Sequence, residues 1–257
     1  MISENPLRLW VVVPAYNEGR WIASTLRSMA DQRDRDFTVL VVDNASDDGT
    51  ADVVRGFADQ HPDLDLRVIR EEQKGTGAAC DTGIRYAISH GATHIARTDA
   101  DCLAAPDWTA AVKNAFADGY QMVGGRLRAR VDDFPVPVWQ RMTLATAVRV
   151  GTLAARFRPD HRGPEFLGPY VLCAGCNSAI TADLYQRCGG YPRVAFEEEY
   201  LDRTLSNRAR RVTRSYGRRS DMVVFYSTRR MKAWGMRKTW SWYTAHNHRE
   251  QKMADVR

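Results

Sequence analysis

The chain has 257 residues, 44% of them hydrophobic and 26% charged, which suits one large α/β domain or two closely packed lobes and excludes global disorder. Its formal net charge of +6 is compatible with a phosphate-bearing ligand, an acidic partner or a membrane surface, and is too small to specify nucleic acid. Met1–Leu9 does not read as a secretory signal, and no run reaches the ~18 apolar residues of a membrane-spanning helix; the odd count of five cysteines argues against a disulfide framework and for a reducing cytoplasm.

Leu9–Val13 and Thr38–Val42 are short, nearly continuous apolar runs, the pattern of strands covered on both faces. Between them Trp21, Ile22, Leu26 and Met29 share one side of a helix. Thr50–Asp59, Gly77–His90 and Pro106–Ala117 are predicted helices, with Pro106 in a first turn, where its missing N–H costs little. Leu64–Ile69, Thr93–Arg97 and Gln121–Arg130 are predicted strands. Strand–helix–strand units at this spacing predict a mostly parallel, Rossmann-like sheet flanked by helices, with right-handed crossovers. Ligands of such sheets bind outside the carboxyl ends of the strands. The polar clusters Pro14–Glu18, Asp43–Thr50, Glu71–Gly77 and Asp99–Asp101 should therefore meet at one crevice.

The pattern changes beyond Arg130. Asp132–Pro137 marks a boundary between a first segment (1–130) and a second lobe (131–257) of one compact domain. There the sequence predicts a helix over Val138–Phe157, a strand at Cys176–Ile180, a helix near Ala182–Cys188, a turn at Gly189–Pro192 and an acidic helix start from Glu197. The segment after Arg208 is rich in arginine and aromatic residues. Cys173-Ala174-Gly175-Cys176 has the spacing of a metal or redox pair, but without a second such pair small buried thiols are the preferred account.

Asp99-Ala100-Asp101 places two carboxylates at a strand end. Hard oxygen ligands of this kind suit Mg²⁺ or Mn²⁺ carrying phosphate oxygens, although so short a motif is also met as a solvated or helix-capping pair. Three motifs occur together: Val12-Val13-Pro14-Ala15-Tyr16-Asn17-Glu18, Val41-Val42-Asp43-Asn44-Ala45-Ser46-Asp47-Asp48-Gly49-Thr50, and Asp99-Ala100-Asp101. In order and spacing they resemble the family 2 glycosyltransferases of the GT-A fold, closely over 8–130 and more loosely to about residue 210.

The resemblance implies an inverting, metal-assisted transfer of a sugar from a nucleoside-diphosphate donor, with UDP favoured, to an acceptor hydroxyl, with 1–130 as the donor side and 131–257 as the acceptor and catalytic-base side. It implies that Pro14, Tyr16 and Glu18 line the nucleotide pocket and that Asp43 accepts a hydrogen bond from the base. Asp99 would contact the ribose or a metal-bound water, and Asp101 would ligate the metal. Lys74 is the basic residue nearest the donor, while the usual Arg-Asn pair of that helix is replaced by Cys80-Asp81. Phe196-Glu197-Glu198-Glu199-Tyr200-Leu201-Asp202 resembles the acidic helix start that supplies the base, with Glu198 in that role and Glu199 as the adjacent register. Cys176-Asn177-Ser178 and Gly189-Gly190-Tyr191 match the acceptor-side strand and turn. Asp47, Asp48 and Thr50 read as turn and helix-start residues. His246 and His248 are candidates for a further metal ligand.

The basic tail suggests an anionic acceptor, such as a lipid phosphate, a carrier-bound group or a small natural product, with a saccharide as the alternative. No nucleic-acid partner is expected, and the expected location is cytoplasmic, in reach of the inner membrane face. Gly75-Thr76-Gly77 begins like a dinucleotide fingerprint, but it follows the third strand and Cys80 fills the third glycine's place. Two readings compete with the transferase. A nucleotidyltransferase would carry a glycine-rich basic loop after the first strand, which Pro14–Glu18 lacks. A basic nucleic-acid or membrane adaptor would leave the strand-end carboxylates unexplained.

Overall fold

Alternation within the first strand sets up the two layers of core. In β1 (Leu9–Ala15), Leu9, Val11 and Val13 enter one apolar cluster, whereas Trp10 and Val12 enter the other. In β2 (Thr38–Asp43), Val39 and Val41 face the first and Leu40 and Val42 the second. Both strands are buried along their length because helices cover both faces, which is why they read as continuous apolar runs. The computed structural model describes residues 6–133, 137, 146, 162–193, 201–229 and 235. The helix predicted over Val138–Phe157 lies almost wholly outside them.

The remaining elements are α1 (Ile22–Ala30), α2 (Thr50–Gln60), β3 (Leu66–Arg70), α3 (Thr76–Ser89), β4 (His94–Arg97), β5 (Leu103–Ala104), α4 (Trp108–Ala117) and β6 (Met122–Ala129). A 3₁₀ turn (Gly175–Asn177) leads into β7 (Ser178–Thr181), followed by α5 (Ala182–Arg187), α6 (Leu201–Val212) and β8 (Tyr216–Tyr226). They form an eight-stranded sheet in the order β3-β2-β1-β4-β7-β6-β8-β5. The β3-β2-β1-β4 half is parallel throughout. The other half is mixed: β7 is antiparallel to both β4 and β6, and β6 runs parallel to β8. This is the α/β, GT-A-type architecture expected. The 3-2-1-4 order gathers the loops that leave β1, β2, β3 and β4 at one edge.

β5 and β8 were not anticipated. β5 has two residues, too few for a periodic signal. β8 reads Tyr-Gly-Arg-Arg-Ser-Asp-Met-Val-Val-Phe-Tyr, and only Met222 and Val224 are buried in it. Its existence depends on pairing with β6, Leu127 to Val224 and Ala129 to Tyr226.

Helix α3 lies unusually close to the sheet at Gly83. A Cβ there would stand 2.6 Å from Val42 Cγ2 and 2.7 Å from Val12 Cγ1, so only glycine lets the helix seat on the two central strands. Gly83→Ala is expected to cost about 1–3 kcal/mol by overpacking, visible as a fall of several degrees in Tm by calorimetry. An unchanged Tm would mean that α3 can lift from the sheet at no cost.

Candidate active site

The first three strand-end loops are cross-linked by their own polar groups. Glu18 N donates to Thr50 Oγ1 at 2.9 Å and Gly19 N to Asp48 Oδ2 at 2.8 Å. Asp48 Oδ1 also accepts from Thr50 N at 3.0 Å, starting α2. Burial raises the Asp48 carboxyl, but the bonds from Thr50 and Gly19 outweigh it and leave a net downward displacement. Asn17 N donates to Ser46 Oγ at 3.0 Å, while Asn17 Oδ1 accepts from Asp47 N at 3.1 Å. Asp47, Asp48 and Thr50 are thus turn and helix-start residues, as read from the sequence. Asn44 joins the second loop to the third: its Nδ2 donates to Gln73 O at 2.7 Å and its Oδ1 accepts from Gly75 N at 2.8 Å.

Two non-glycine residues of these loops are left-handed, Asn17 at φ 53° and Ala45 at φ 55°. Such conformations cost about 1–2 kcal/mol for a residue with a Cβ. Ala45 is held there by Lys74, whose Nζ donates to Ala45 O at 2.6 Å. The same ammonium stands 4.0 Å from the centroid of the Tyr16 ring, so Lys74 and Tyr16 form one wall of the crevice. Pro14 is the last residue but one of β1 and pairs with Val42. Asp43 is buried at the end of β2, and Arg70 Nη1 approaches its Oδ2 at 3.4 Å.

The Asp99–Asp101 turn is presented by its middle residue. Ala100 is buried in the first apolar cluster, and its carbonyl accepts from Thr25 Oγ1 at 2.7 Å. Cys102 N donates to Asp99 O at 3.1 Å, and Arg130 Nη1 donates to Asp101 O at 2.8 Å. With Ala100 anchored inward and the carbonyls satisfied, the flanking carboxylates are left for the crevice.

A basic side chain from far along the chain meets them. The end of β8 is fixed by Arg130 N donating to Tyr226 O at 2.9 Å, and by Asp133, which accepts from Ser227 Oγ at 2.6 Å and Thr228 N at 2.9 Å. Arg229 therefore enters the crevice. Its Nη1 donates to Glu18 Oε2 at 2.7 Å and its Nη2 lies 3.0 Å from Asp101 Oδ2. The side chains of Arg229 and Glu18 are only 11% and 7% exposed. Burial alone would depress the guanidinium's basicity, yet the paired carboxylates raise it above its ordinary value. The sequence identified only a basic, aromatic-rich tail after Arg208; the structure sets Arg229 of that tail between Glu18 and Asp101. The rest of that tail beyond residue 229, including His246 and His248, lies outside the described residues apart from Gly235.

Asp99 belongs to a second group that the sequence did not reveal. Arg97, buried at the end of β4, donates to Asp99 Oδ1 and to Asp202 Oδ1, both at 3.0 Å, and to the Tyr191 hydroxyl at 3.1 Å. Asp202, in the first turn of α6, also accepts from Gly175 N at 2.7 Å. Burial pushes its carboxyl upward against the opposing pull of Arg97. A buried arginine at a strand end is a signal of ionic partners, but the partners lie two and 105 residues away. Glu197, Glu198 and Glu199 lie outside the described residues, immediately before α6. Asp81, where the family pattern has asparagine, accepts from Arg85 Nε and from the Tyr185 hydroxyl, both at 2.9 Å. It braces α3 against α5. Asn177 is wholly buried as well, accepting from Trp108 Nε1 at 2.9 Å and donating to Arg126 O and Met222 O at 3.0 Å.

The donor set fits a hard divalent cation. Asp101 and Glu18 already face a positive guanidinium, so the position between them favours positive charge. Asp101 would hold such an ion, with Asp99 beside it.

A Rossmann-like sheet with an acidic crevice at its carboxyl edge is thus the class that fold and site define. The family model for Glycosyl transferase family 2 matches residues 10–200, and the chain belongs to that family. Glycosyltransferase AglE of Haloferax volcanii is 36% identical over 120 residues, 46% of this chain and 38% of AglE. An undecaprenyl-phosphate mannosyltransferase of Micrococcus luteus is 29% identical over 120 residues, covering 47% of this chain and 49% of the relative. The chain thus spans half or less of the length of these relatives. Among solved structures, mannosyltransferase PcManGT from Pyrobaculum calidifontis, in complex with GDP-Man and Mn²⁺, is similar at a TM-score of 0.66 and 25% identity, over 95% of this chain and 66% of that one. S. aureus TarS in complex with UDP-GlcNAc shares the fold at a TM-score of 0.59 and 17% identity, over 95% of this chain and 68% of that one. No helix among the described residues is long and apolar enough to cross a membrane.

Proposed function

We propose that this protein is an inverting glycosyltransferase that moves a sugar from a nucleoside-diphosphate sugar, a UDP-sugar first, to an acceptor hydroxyl with the help of Mn²⁺ or Mg²⁺. The observation that carries the reading is the meeting of Glu18 and Asp101, from the ends of β1 and β4, around one buried positive group in a chain of family 2. In this reading the Tyr16–Lys74 wall, Pro14, Glu18 and Asp43 receive the nucleoside, and Asp99 and Asp101 face its diphosphate. A divalent cation on Asp101 would neutralise charge on the departing diphosphate. Glu198, or Glu199 in the adjacent register, takes the proton of the acceptor hydroxyl. The freed oxygen attacks the anomeric carbon in line as the bond to the diphosphate oxygen breaks, inverting the configuration. An anionic acceptor, a lipid phosphate among them, remains the favoured class; the Micrococcus luteus relative's name points the same way.

The test is thermal-shift binding of UDP-, GDP- and TDP-sugars with and without Mn²⁺. A ligand at a hundred times its Kd stabilises by about 2.7 kcal/mol. One nucleotide should raise Tm, and only with the metal; no shift with any donor would overturn the reading.

Arg229 gives a second check. Arg229→Ala leaves Glu18 and Asp101 without their buried counter-charge, and breaking such a pair costs about 3–5 kcal/mol. The metal-free variant should melt well below the wild type. Added Mn²⁺ should return more of that loss than it adds to the wild type, because the cation no longer competes with a guanidinium. A variant that melts like the wild type without metal would mean that the pair contributes nothing.

A further inference from the structure

We propose that Asp99, Cys102 and Cys176 form a binding site for a thiophilic divalent cation of the Zn²⁺ class, beside but chemically distinct from the hard-cation position at Asp101. One carboxylate oxygen and two thiol sulfurs of these residues lie within 4.8 Å of one another. They come from the turn after β4 and from the 3₁₀ turn that precedes β7. A four-coordinate zinc with two sulfurs and one oxygen keeps its ligand atoms about 3.5–3.8 Å apart. Closing from the observed spacing thus needs small side-chain rotations and no backbone movement.

The surroundings are built to hold these groups in place. Asp99 O accepts from Cys102 N at 3.1 Å, so the carboxylate and the first thiol share one tight turn. The second thiol's turn is clamped on either side, by Gly175 N donating to Asp202 at 2.7 Å and by the buried Asn177 amide. Arg97 donates to Asp99 Oδ1 and orients it, as outer partners of ligating carboxylates do. The Cys102 thiol already donates to Asp101 Oδ1 at 3.5 Å. Cys102 is buried, whereas Asp99 and Cys176 reach the surface and leave a path for entry. The Cys173–Cys176 spacing weighed in the sequence is not the pair that matters. The Cys173 thiol points to Gly217 O, at 3.9 Å, and Cys176 instead meets Cys102, 74 positions away.

Two thiols and a carboxylate select against Mg²⁺ and Ca²⁺ and for soft or borderline cations. Binding would replace the two S–H bonds by two metal–sulfur bonds and release two protons to solvent, with one water completing four-coordination. The bound group carries one net negative charge, which the neighbouring Arg97 compensates. Because Asp99 would be a ligand, occupation takes it away from the donor crevice, so the site would oppose donor binding. That consequence rests on the proposed transferase function, whereas the binding itself does not.

The experiment titrates the full chain, reduced with a phosphine and freed of metal, with Cd²⁺ and then with competing Zn²⁺. Expected are one equivalent of binding, a thiolate-to-cadmium charge-transfer band in the ultraviolet that Zn²⁺ displaces, and two protons released per cation. Cys176→Ser and Asp99→Asn should each weaken binding at least tenfold, and Cys176→Ser should remove about half of the band. Cys188→Ser, a buried thiol away from the cluster, should change neither. Absence of a band at one equivalent, or a band untouched in Cys176→Ser, would overturn the proposal. Cys176 is partly exposed, so this variant should fold even if Cys102→Ser does not. None of these readouts depends on sugar transfer, so failure of the site and failure of the transferase reading are distinguishable.

Discussion

Asp101→Ala is expected to lower sugar transfer by about a thousandfold or more. Losing the ligand of a cation that stabilises leaving-group charge removes several kcal/mol of barrier lowering, and each 1.36 kcal/mol is about a factor of ten. The structure separates this loss from misfolding. Asp101 O is held by Arg130 through the backbone, and the Asp101 side chain is one of two carboxylates on Arg229, the other being the more deeply buried Glu18. Truncation therefore leaves the turn in place and Arg229 still paired with Glu18. The variant should melt near the wild type without metal and lose the Mn²⁺-dependent part of the donor-induced Tm rise. Chelation of the wild type with EDTA should reproduce the kinetic defect. Full activity in EDTA would remove the metal from the mechanism, and full activity in Asp101→Ala would remove this residue from it.

Glu198→Gln is expected to reduce turnover by about a hundredfold or more while leaving donor affinity intact. Amide for carboxylate preserves shape and abolishes the proton acceptor. The reading is supported by where α6 begins: Leu201 is buried in the second apolar cluster and Asp202 is tied to Arg97 and Gly175. α6 thus begins beside the group that holds Asp99. Asp202 is less suited to be the base, because its oxygens already accept from a guanidinium and a backbone amide. Steady-state kinetics of Glu198→Gln, Glu199→Gln and Asp202→Asn distinguish the three. Loss confined to Glu199→Gln shifts the register by one residue. Loss confined to Asp202→Asn, with stability intact, would reassign the base, and no loss in any of them would exclude this helix start from catalysis.

Much of the donor-side half was legible before any coordinates. β1, β2 and β4 follow from short apolar runs, and α1, α2, α3 and α4 from helical periodicity, because a helix or strand covered by neighbours must show its apolar face within a few residues. The strand-end motifs were legible for the same local reason: Pro14–Glu18, Asp43–Thr50 and Asp99–Asp101 each sit directly after a readable strand. What tertiary structure alone decided is which side chains meet. Arg229 reaches Glu18 across 211 positions, Arg97 reaches Asp202 across 105, and Cys102 approaches Cys176 rather than Cys173 doing so. Each depends on a strand, β7 or β8, whose place in the sheet is set by pairing with a distant partner. In β8 the first half carries Arg218, Arg219 and Asp221 and shows no apolar alternation, and pairing with β6 makes the whole segment one strand. Periodicity reports the face a segment must bury. It carries no information about which of several arginines or cysteines will be carried to a carboxylate by a neighbour that the chain reaches a hundred residues later.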